Sequence, residues 1–136
     1  MALKVELKPG EKIIVGEALI TNGPARARFS VEGNAPILRE KDILAVKDAN
    51  SPALRIYLAV QLMYLHRSTD VVRDEYFDLV SQIVNAAPST LPYLTDISKA
   101  ILEGAYYKAL KEAKKLIEYE RTLLGHVSSS NSSLPE

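Results

Sequence analysis

The feature that most constrains the fold is a change in hydrophobic period near Asn50. Over residues 3–47, apolar and charged side chains alternate, as where Leu3, Val5 and Leu7 are separated by lysine and glutamate. This pattern is typical of half-buried β-strands. Beyond Asn50, apolar residues recur every three to four positions, which is typical of helices. The sequence therefore predicts an α+β fold, with a small antiparallel β-unit followed by a three- to four-helix bundle.

Turn residues divide the β-rich segment into four or five short strands. Proline, glycine and asparagine suit the backbone angles of tight turns, and they occur at Pro9-Gly10, Gly16, Asn22-Gly23-Pro24 and Gly33-Asn34. We expect the strands at about 3–7, 12–16, 18–21, 26–32 and 36–39. So small a sheet has exposed edges, which favours pairing with a second copy of the chain or packing on the rest of it.

The helical segment opens with a strong local signal. Ser51 is a favoured N-cap residue and Pro52 a favoured first helical residue. The helix that follows, to about Leu65, is apolar nearly all round, which predicts a central position or an interface. Asp70 is the expected cap of a second helix, which ends before Pro88 because proline interrupts helical hydrogen bonding.

Two further helices complete the predicted bundle. One opens at Ser89 or Thr90, and Gly104 then marks either a break or a tolerated small residue. The stripe of the last helix comprises Tyr106, Leu110, Ala113, Ile117 and Leu124. The serine-rich end has few apolar side chains to offset its ordering entropy, which predicts disorder. The predicted divisions are a β-rich unit over residues 1–47, a helical bundle over 51–126 and a disordered tail over 127–136.

Composition limits the possible functions and compartments. Seventeen basic and seventeen acidic residues cancel, so attraction to phosphate requires a local patch of charge. The absence of cysteine excludes disulfides and thiolate sites and suits a reducing compartment. The first residues do not form a secretory signal, and the apolar stretch 56–65 is too short to cross a bilayer. We expect a cytoplasmic protein with no membrane partner.

Catalytic residues do not form any known arrangement in this sequence. His66 and His126 are the only histidines, and neither has a second ligand at metal-binding spacing. Asp74, Glu75 and Asp78 share one helical surface, which is more typical of solvated charges than of a paired acid and base. No phosphate-binding loop, nucleophile elbow or dinucleotide fingerprint is present. We therefore expect no catalysis, no metal and no cofactor.

Basic side chains form two stripes on the predicted strands. Lys4 and Lys8 share a face of the first strand, and Arg26 and Arg28 share a face of a later one. Residues 1–47 contain eight basic and six acidic side chains. On pattern alone, the stripes either bind phosphate or form the solvent face of a half-buried sheet.

Four segments of the chain resemble a known family. They are LKPGEKIIVGEALITNG, FSVEGNAPILREKDIL, SPALRIYLAVQLMYL and YYKALKEAKKLIEYE. In this order, and up to about Leu124, they resemble the flagellum biosynthesis repressor FlbT family of alphaproteobacteria. The resemblance implies a post-transcriptional regulator that associates with the 5′ untranslated leader of flagellin mRNA and represses its translation or promotes its degradation. It also implies partnership with the flagellin-associated factor FlaF.

A second similarity covers only residues 3–43. KPGEKIIVG and NAPILREKDI are similar to the carbon storage regulator CsrA, a small β-dimer that binds RNA. This similarity implies a CsrA-like homodimer whose first and last strands form a basic edge. Leu7 and Leu38 depart from that family, which has arginine and histidine there. Lys8 and Arg39 match its basic residues, and the predicted RNA-binding residues are Lys4, Lys8, Arg26, Arg28, Arg39 and Lys41.

A second hypothesis assigns the helical half to protein binding. Its apolar first helix and its tyrosines could form a groove for an amphipathic helix of flagellin or FlaF, or could simply fill the bundle. The candidate interaction residues are Tyr57, Tyr106 and Tyr107. Lys108, Lys111 and Lys115 share one helical face among glutamates, which favours a solvated surface. A structural flagellar component is disfavoured by the lack of long heptad arrays.

Overall fold

The structure, a computed structural model, describes residues 2–132, with side chains described as far as Gly125. The chain divides into two compact units between Ile43 and Leu44. The first unit is built of strands and the second of helices. This order of elements confirms the predicted α+β fold class.

Five strands form two antiparallel sheets in the first unit. They are β1 (Ala2–Leu7), β2 (Lys12–Val15), β3 (Ala18–Thr21), β4 (Ala27–Glu32) and β5 (Ile37–Arg39). β1 pairs with β4, and β2 lies between β3 and β5. Val5, Leu7 and Ile13 are buried together, and Phe29 packs against them. Each predicted strand agrees with the structure to within one residue at either end, because the turn residues that punctuate the chain limit where a strand can begin.

Four α-helices form the described part of the second unit. They are α1 (Pro52–His66), α2 (Arg73–Ala86), α3 (Leu91–Leu102) and α4 (Tyr106–Ser132). α1 packs against α2 and α4, and α3 packs against α4. Only Pro52, Arg55 and His66 of α1 are exposed, which confirms the central position predicted from its apolar sequence.

Gln61 explains where the second unit begins. Its buried side-chain amide accepts a hydrogen bond from the Leu44 N–H at 2.8 Å and donates one to the Leu44 carbonyl at 3.0 Å. A buried amide needs such partners, and these two bonds tie Leu44 to α1. The division accordingly falls before Leu44, whereas the sequence predicted a β-rich unit as far as Lys47.

The predicted cap is correct for α1 and wrong for α2. The Ser51 hydroxyl accepts a hydrogen bond from the Leu54 N–H at 3.2 Å, with Pro52 at the first helical position. Asp70, by contrast, lies three residues before the start of α2, too early for its carboxylate to cap the first turn. Val72 occupies the N-cap position without a side-chain cap bond.

Gly104 separates α3 from α4, which resolves the alternative left open by the sequence. Its φ of 73° lies in the left-handed region that glycine adopts at low cost. The Gly104 N–H donates to the Ile101 carbonyl, and the Ala105 N–H donates to the Ala100 carbonyl, each at 2.9 Å. These are the two bonds of a Schellman ending. Thr90 stands at the N-cap of α3, but its hydroxyl donates to the Ala87 carbonyl instead of capping the helix.

The buried stripe of α4 differs from the predicted seam at its far end. Ala109, Leu110, Ala113 and Leu116 are buried, whereas Leu124 is 57% exposed. A straight α-helix drifts relative to a seven-residue repeat, so a position two heptads beyond Leu110 leaves the buried face. The backbone of α4 is helical to Ser132, where the sequence predicted a disordered tail over 127–136. The rest of that tail lies outside the described residues.

Candidate nucleic-acid interface

The exposed face of β1 and β4 brings most of the predicted RNA-binding residues together. Side chains alternate between the two faces of a strand, so Val5 and Phe29 turn inward while their neighbours turn to solvent. The antiparallel register places Glu6 directly opposite Arg28. We call this surface the basic face, and it consists of Lys4, Glu6, Lys8, Arg26, Arg28 and Ser30.

Glu6 lies between two arginines on the basic face. Arg26 Nη1 is 2.7 Å from Glu6 Oε1, and Arg28 Nε is 3.4 Å from Glu6 Oε2. The arginine side chains are 62% and 83% exposed. Each carboxylate oxygen therefore meets a different guanidinium, and both guanidinium groups remain open to solvent.

Arg39 approaches the same position from the other sheet. It ends β5, is half-buried, and its Nη2 donates a hydrogen bond to the Glu6 backbone carbonyl at 3.3 Å. Lys41 is exposed on the short 3-10 turn Glu40–Asp42. The contacts around Glu6 thus gather the three predicted arginines and do not include Lys41.

A tight turn positions Lys8 at the end of β1. Pro9 and Gly10 occupy its centre, with Gly10 at a φ of 72°, as a type II turn requires. The Lys8 carbonyl accepts a hydrogen bond from the Glu11 N–H at 3.0 Å. The Lys8 N–H in turn donates to Glu11 Oε1 at 2.8 Å. Both bonds fix the backbone of Lys8 and leave its exposed ammonium group available to a ligand.

Asn22 joins this turn to the loop before Arg26. Its side-chain amide donates to the carbonyls of Leu7, Lys8 and Ala25, at 3.2, 2.8 and 2.9 Å. The sequence marked Asn22 only as a turn residue. In the structure it holds together the two segments that carry Lys8 and Arg26.

The two departures from the CsrA pattern lie in the core. Leu7 and Leu38 are both buried, and a cation at either position would have to lose its hydration. Their apolar character therefore suits this sheet arrangement. Arg26 and Arg28, in contrast, are exposed.

An open depression of about 560 Å³ runs along the basic face. It is lined by Lys4, Val5, Glu6, Arg28, Phe29 and Ser30. Three of these lining residues, Lys4, Glu6 and Arg28, are charged. This arrangement can bind an anionic ligand that keeps much of its own hydration.

The three candidate protein-interaction residues do not form one surface. Tyr57 is buried, whereas Tyr106 is half-buried and Tyr107 is exposed. The ring centroids of Tyr107 and Tyr64 are 5.8 Å apart. Lys111 Nζ lies 5.1 Å from the centroid of the Tyr107 ring. Burial leaves Tyr57 little surface for a partner, so only the two tyrosines that open α4 can contribute.

Among the side chains that the structure describes, acidic and histidine residues show no arrangement for metal binding. Within residues 2–125, no group of three or more histidine or acidic side chains could hold a metal ion. Asp74, Glu75 and Asp78 are exposed, as is His66. The side chain of His126 lies outside the described residues. None of the helices described is both long and apolar enough to span a membrane.

Comparison with known proteins identifies the family. The family model described as flagellar protein FlbT matches residues 3–124. The chain belongs to the FlbT family. A probable flagellum biosynthesis repressor protein FlbT 1 from Bradyrhizobium diazoefficiens is 52% identical over 96% of this chain and 90% of its own length. No solved structure matches the chain.

More distant FlbT relatives match over similar lengths. One from Rhodopseudomonas palustris, named a probable flagellum biosynthesis repressor, is 46% identical over 91% of this chain and 98% of its own. The flagellum biosynthesis repressor protein FlbT of Caulobacter vibrioides is 39% identical over 95% of this chain and 94% of its own. These matches confirm the FlbT family resemblance drawn from the four sequence segments.

Proposed function

We propose that this FlbT-family protein regulates flagellin synthesis after transcription. It binds the 5′ untranslated leader of flagellin mRNA through the basic face, and it represses translation or promotes degradation of that mRNA. The convergence of Arg26, Arg28 and Arg39 around Glu6 carries this proposal. The relatives support its coarser part, since they are named flagellum biosynthesis repressors.

The chemistry of the basic face suits an RNA backbone. Arginine presents a planar array of donors that matches a phosphate, and each phosphate contact releases counterions from the RNA. In a chain of zero net charge, such binding requires a local excess of cations. Because Phe29 packs into the core, base stacking contributes little, and contacts to phosphates and base edges provide the affinity.

The active form in this proposal is a cytoplasmic homodimer that catalyses no reaction. β3 is an edge strand of its sheet, and its Leu19 and Ile20 are exposed. An exposed apolar edge strand is a ready surface for pairing with a second chain. A dimer joined through the β-unit presents two basic faces to one RNA leader.

The test replaces Arg26 and Arg28 together by glutamine and measures affinity for the flagellin leader at two salt concentrations. Loss of two phosphate contacts should weaken binding about tenfold and lower the salt dependence of log affinity by about one per contact. The matched control is Lys115→Gln/Arg121→Gln, which also removes two exposed cations paired with glutamates. Equal weakening by both variants would contradict the proposal.

A second candidate function is protein binding through the helical unit. It is favoured by a cavity of about 350 Å³ lined by Met63, Phe77, Leu102 and Tyr106, among others. Leu102 is 83% exposed and Phe77 is also exposed, and clustered apolar exposure is typical of interaction sites. An amphipathic helix of flagellin or FlaF would insert an apolar side chain here.

The adaptor function predicts that Leu102→Ser weakens binding of purified flagellin or FlaF, measured by calorimetry. Leu91→Ser is the control, because Leu91 is also an exposed leucine of α3 but does not line the cavity. Binding of the RNA leader only when FlaF or flagellin is added would favour the adaptor over direct RNA recognition. Equal binding by the native protein and both variants would exclude the cavity as the partner site.

A further inference from the structure

Glu6 is the only acidic side chain among the residues that form the basic face. β-sheet register fixes its place, since Arg28 stands directly opposite it and Arg26 is the diagonal neighbour on the same face. The position is therefore determined by the backbone and not by a flexible loop. An anion that bridges the two arginines in the way that Glu6 does would take the place of the Glu6 carboxylate.

We propose that the Glu6 carboxylate occupies the site of an RNA phosphate and competes with that phosphate for Arg26 and Arg28. This inference rests on the proposed RNA-binding function and assigns Glu6 a regulatory role within it. A carboxylate and a phosphate present similar oxygen acceptors to a guanidinium group. Glu6 therefore holds the arginines in a phosphate-binding geometry while it lowers their affinity for phosphate.

Because Glu6, Arg26 and Arg28 are all exposed, this competition is reversible. Both arginines and Glu6 are solvent-accessible, with 43% of the Glu6 side chain exposed. Ion pairs of this kind contribute little net stability, because water and salt screen them. An incoming phosphate can therefore displace the carboxylate without unfolding the strand pair. Glu6 remains fixed to β1 after displacement, and its negative charge continues to oppose the bound RNA.

The consequence is a threshold for binding. Phosphate contacts carry no sequence information, so an uncompensated cluster of arginines would hold any RNA. Glu6 reduces this non-specific contribution, and a leader must add contacts at Lys4 or Lys8 of the basic face, or at the neighbouring Arg39, to bind tightly. Within the proposed function, Glu6 thus raises the affinity threshold that every RNA must exceed.

The experiment compares Glu6→Gln with the native protein in binding to the flagellin leader and to an unrelated RNA of equal length. Glutamine keeps the side-chain volume and removes the charge, so affinity for both RNAs should rise about three- to tenfold. The slope of log affinity against log salt should become steeper by up to about one. Thermal unfolding followed by circular dichroism checks that the variant folds.

Two controls separate competition from a general change in charge. Glu118→Gln makes the same substitution at an exposed glutamate of α4, which pairs with Arg121 and lies outside the basic face. It changes the net charge equally but releases no arginine of the basic face, so affinity for both RNAs should remain unchanged. In an Arg26→Gln/Arg28→Gln background, Glu6→Gln should lose most of its effect, because no arginines remain to be released.

The outcomes distinguish this inference from the proposed function. A gain for Glu6→Gln that needs Arg26 and Arg28 supports competition. Unchanged or weaker binding, in a protein whose native form binds the leader, overturns the role of Glu6 and leaves the RNA-binding function standing. Absence of binding by both the native protein and Glu6→Gln overturns both.

Discussion

Tyr76 is a buried side chain whose ionisation is coupled to folding. It lies in α2, and its hydroxyl shares a hydrogen bond with the Ser98 hydroxyl of α3 at 2.7 Å. Burial raises the pKa of Tyr76 above the ordinary value of tyrosine, and the hydrogen bond from Ser98 offsets part of this increase. The folded state therefore holds the phenol in its neutral form more strongly than the unfolded chain does.

This coupling predicts a loss of stability at alkaline pH. The contribution of Tyr76 is fully present below about pH 10, the pKa of an unfolded tyrosine, and is lost as pH rises through the higher folded-state pKa. Tyr76→Phe should lower the free energy of unfolding by about 1 kcal/mol at pH 7 through the lost hydrogen bond, and should flatten its decline above pH 10. Urea unfolding from pH 7 to pH 11 measures both effects.

Ser98→Ala provides the matched control for this prediction. It removes the same hydrogen bond but retains the phenol, so it should keep the alkaline loss of stability. Parallel stability curves for the native protein and Tyr76→Phe above pH 10 would show that Tyr76 is not the responsible group.

Individual residues of the basic face were predictable only in part. Alternation placed Lys4, Lys8, Arg26 and Arg28 on exposed faces, and the structure agrees. The contacts of Glu6 with Arg26 and Arg28 were missed, because they depend on which strands pair and in what register. Alternation along a strand predicts which face of the sheet a side chain lies on. It does not predict which residue of the neighbouring strand lies opposite.

At the scale of elements, α1 begins at a cap supplied by two parts of the chain. The Ser51 hydroxyl donates a hydrogen bond to Glu120 Oε1 at 2.5 Å, and the Ala53 N–H donates to Glu120 Oε2 at 2.9 Å. A carboxylate at a helix N-terminus satisfies unpaired N–H groups and opposes the positive end of the helix dipole. Glu120 therefore connects α4 to the N-terminus of α1 through two hydrogen bonds.

Glu120→Gln should lower the free energy of unfolding by about 1–2 kcal/mol, because it removes the charge from this cap. The control is Glu118→Gln on the same helix, whose exposed carboxylate pairs with Arg121 and whose loss should cost about 0.5 kcal/mol or less. Chemical denaturation measures both variants. Equal destabilisation by the two would mean that the cap contributes no more than a surface ion pair.

The elements themselves were largely predictable from local signals. Turn residues limited the strands, and Ser51-Pro52 fixed the start of α1. The errors at Asp70 and Leu124 share a cause: each was assigned from spacing along the chain, whereas the loop after α1 and the drift of the α4 stripe depend on three-dimensional packing. The Glu120 cap joins residues almost seventy positions apart, which no local pattern reveals.

At the scale of the molecule, zero net charge conceals an uneven distribution. The basic face combines four cations with one carboxylate, while the exposed lysines of α4 lie among glutamates. Electrostatic attraction to RNA would then come from the basic face alone and would orient the protein toward the RNA. Homodimerisation, cytoplasmic location and partnership with FlaF stay predictions.

The most direct test of the central claim is to map where RNA contacts the protein. Titration of the isotope-labelled full chain with the flagellin leader, followed by nuclear magnetic resonance, reports each backbone amide separately. The proposed function predicts shifts concentrated in Ala2–Leu7 and Ala27–Glu32 and in the turn that carries Lys8. Shifts confined to α1–α4, or none without an added protein partner, would contradict RNA recognition by the basic face.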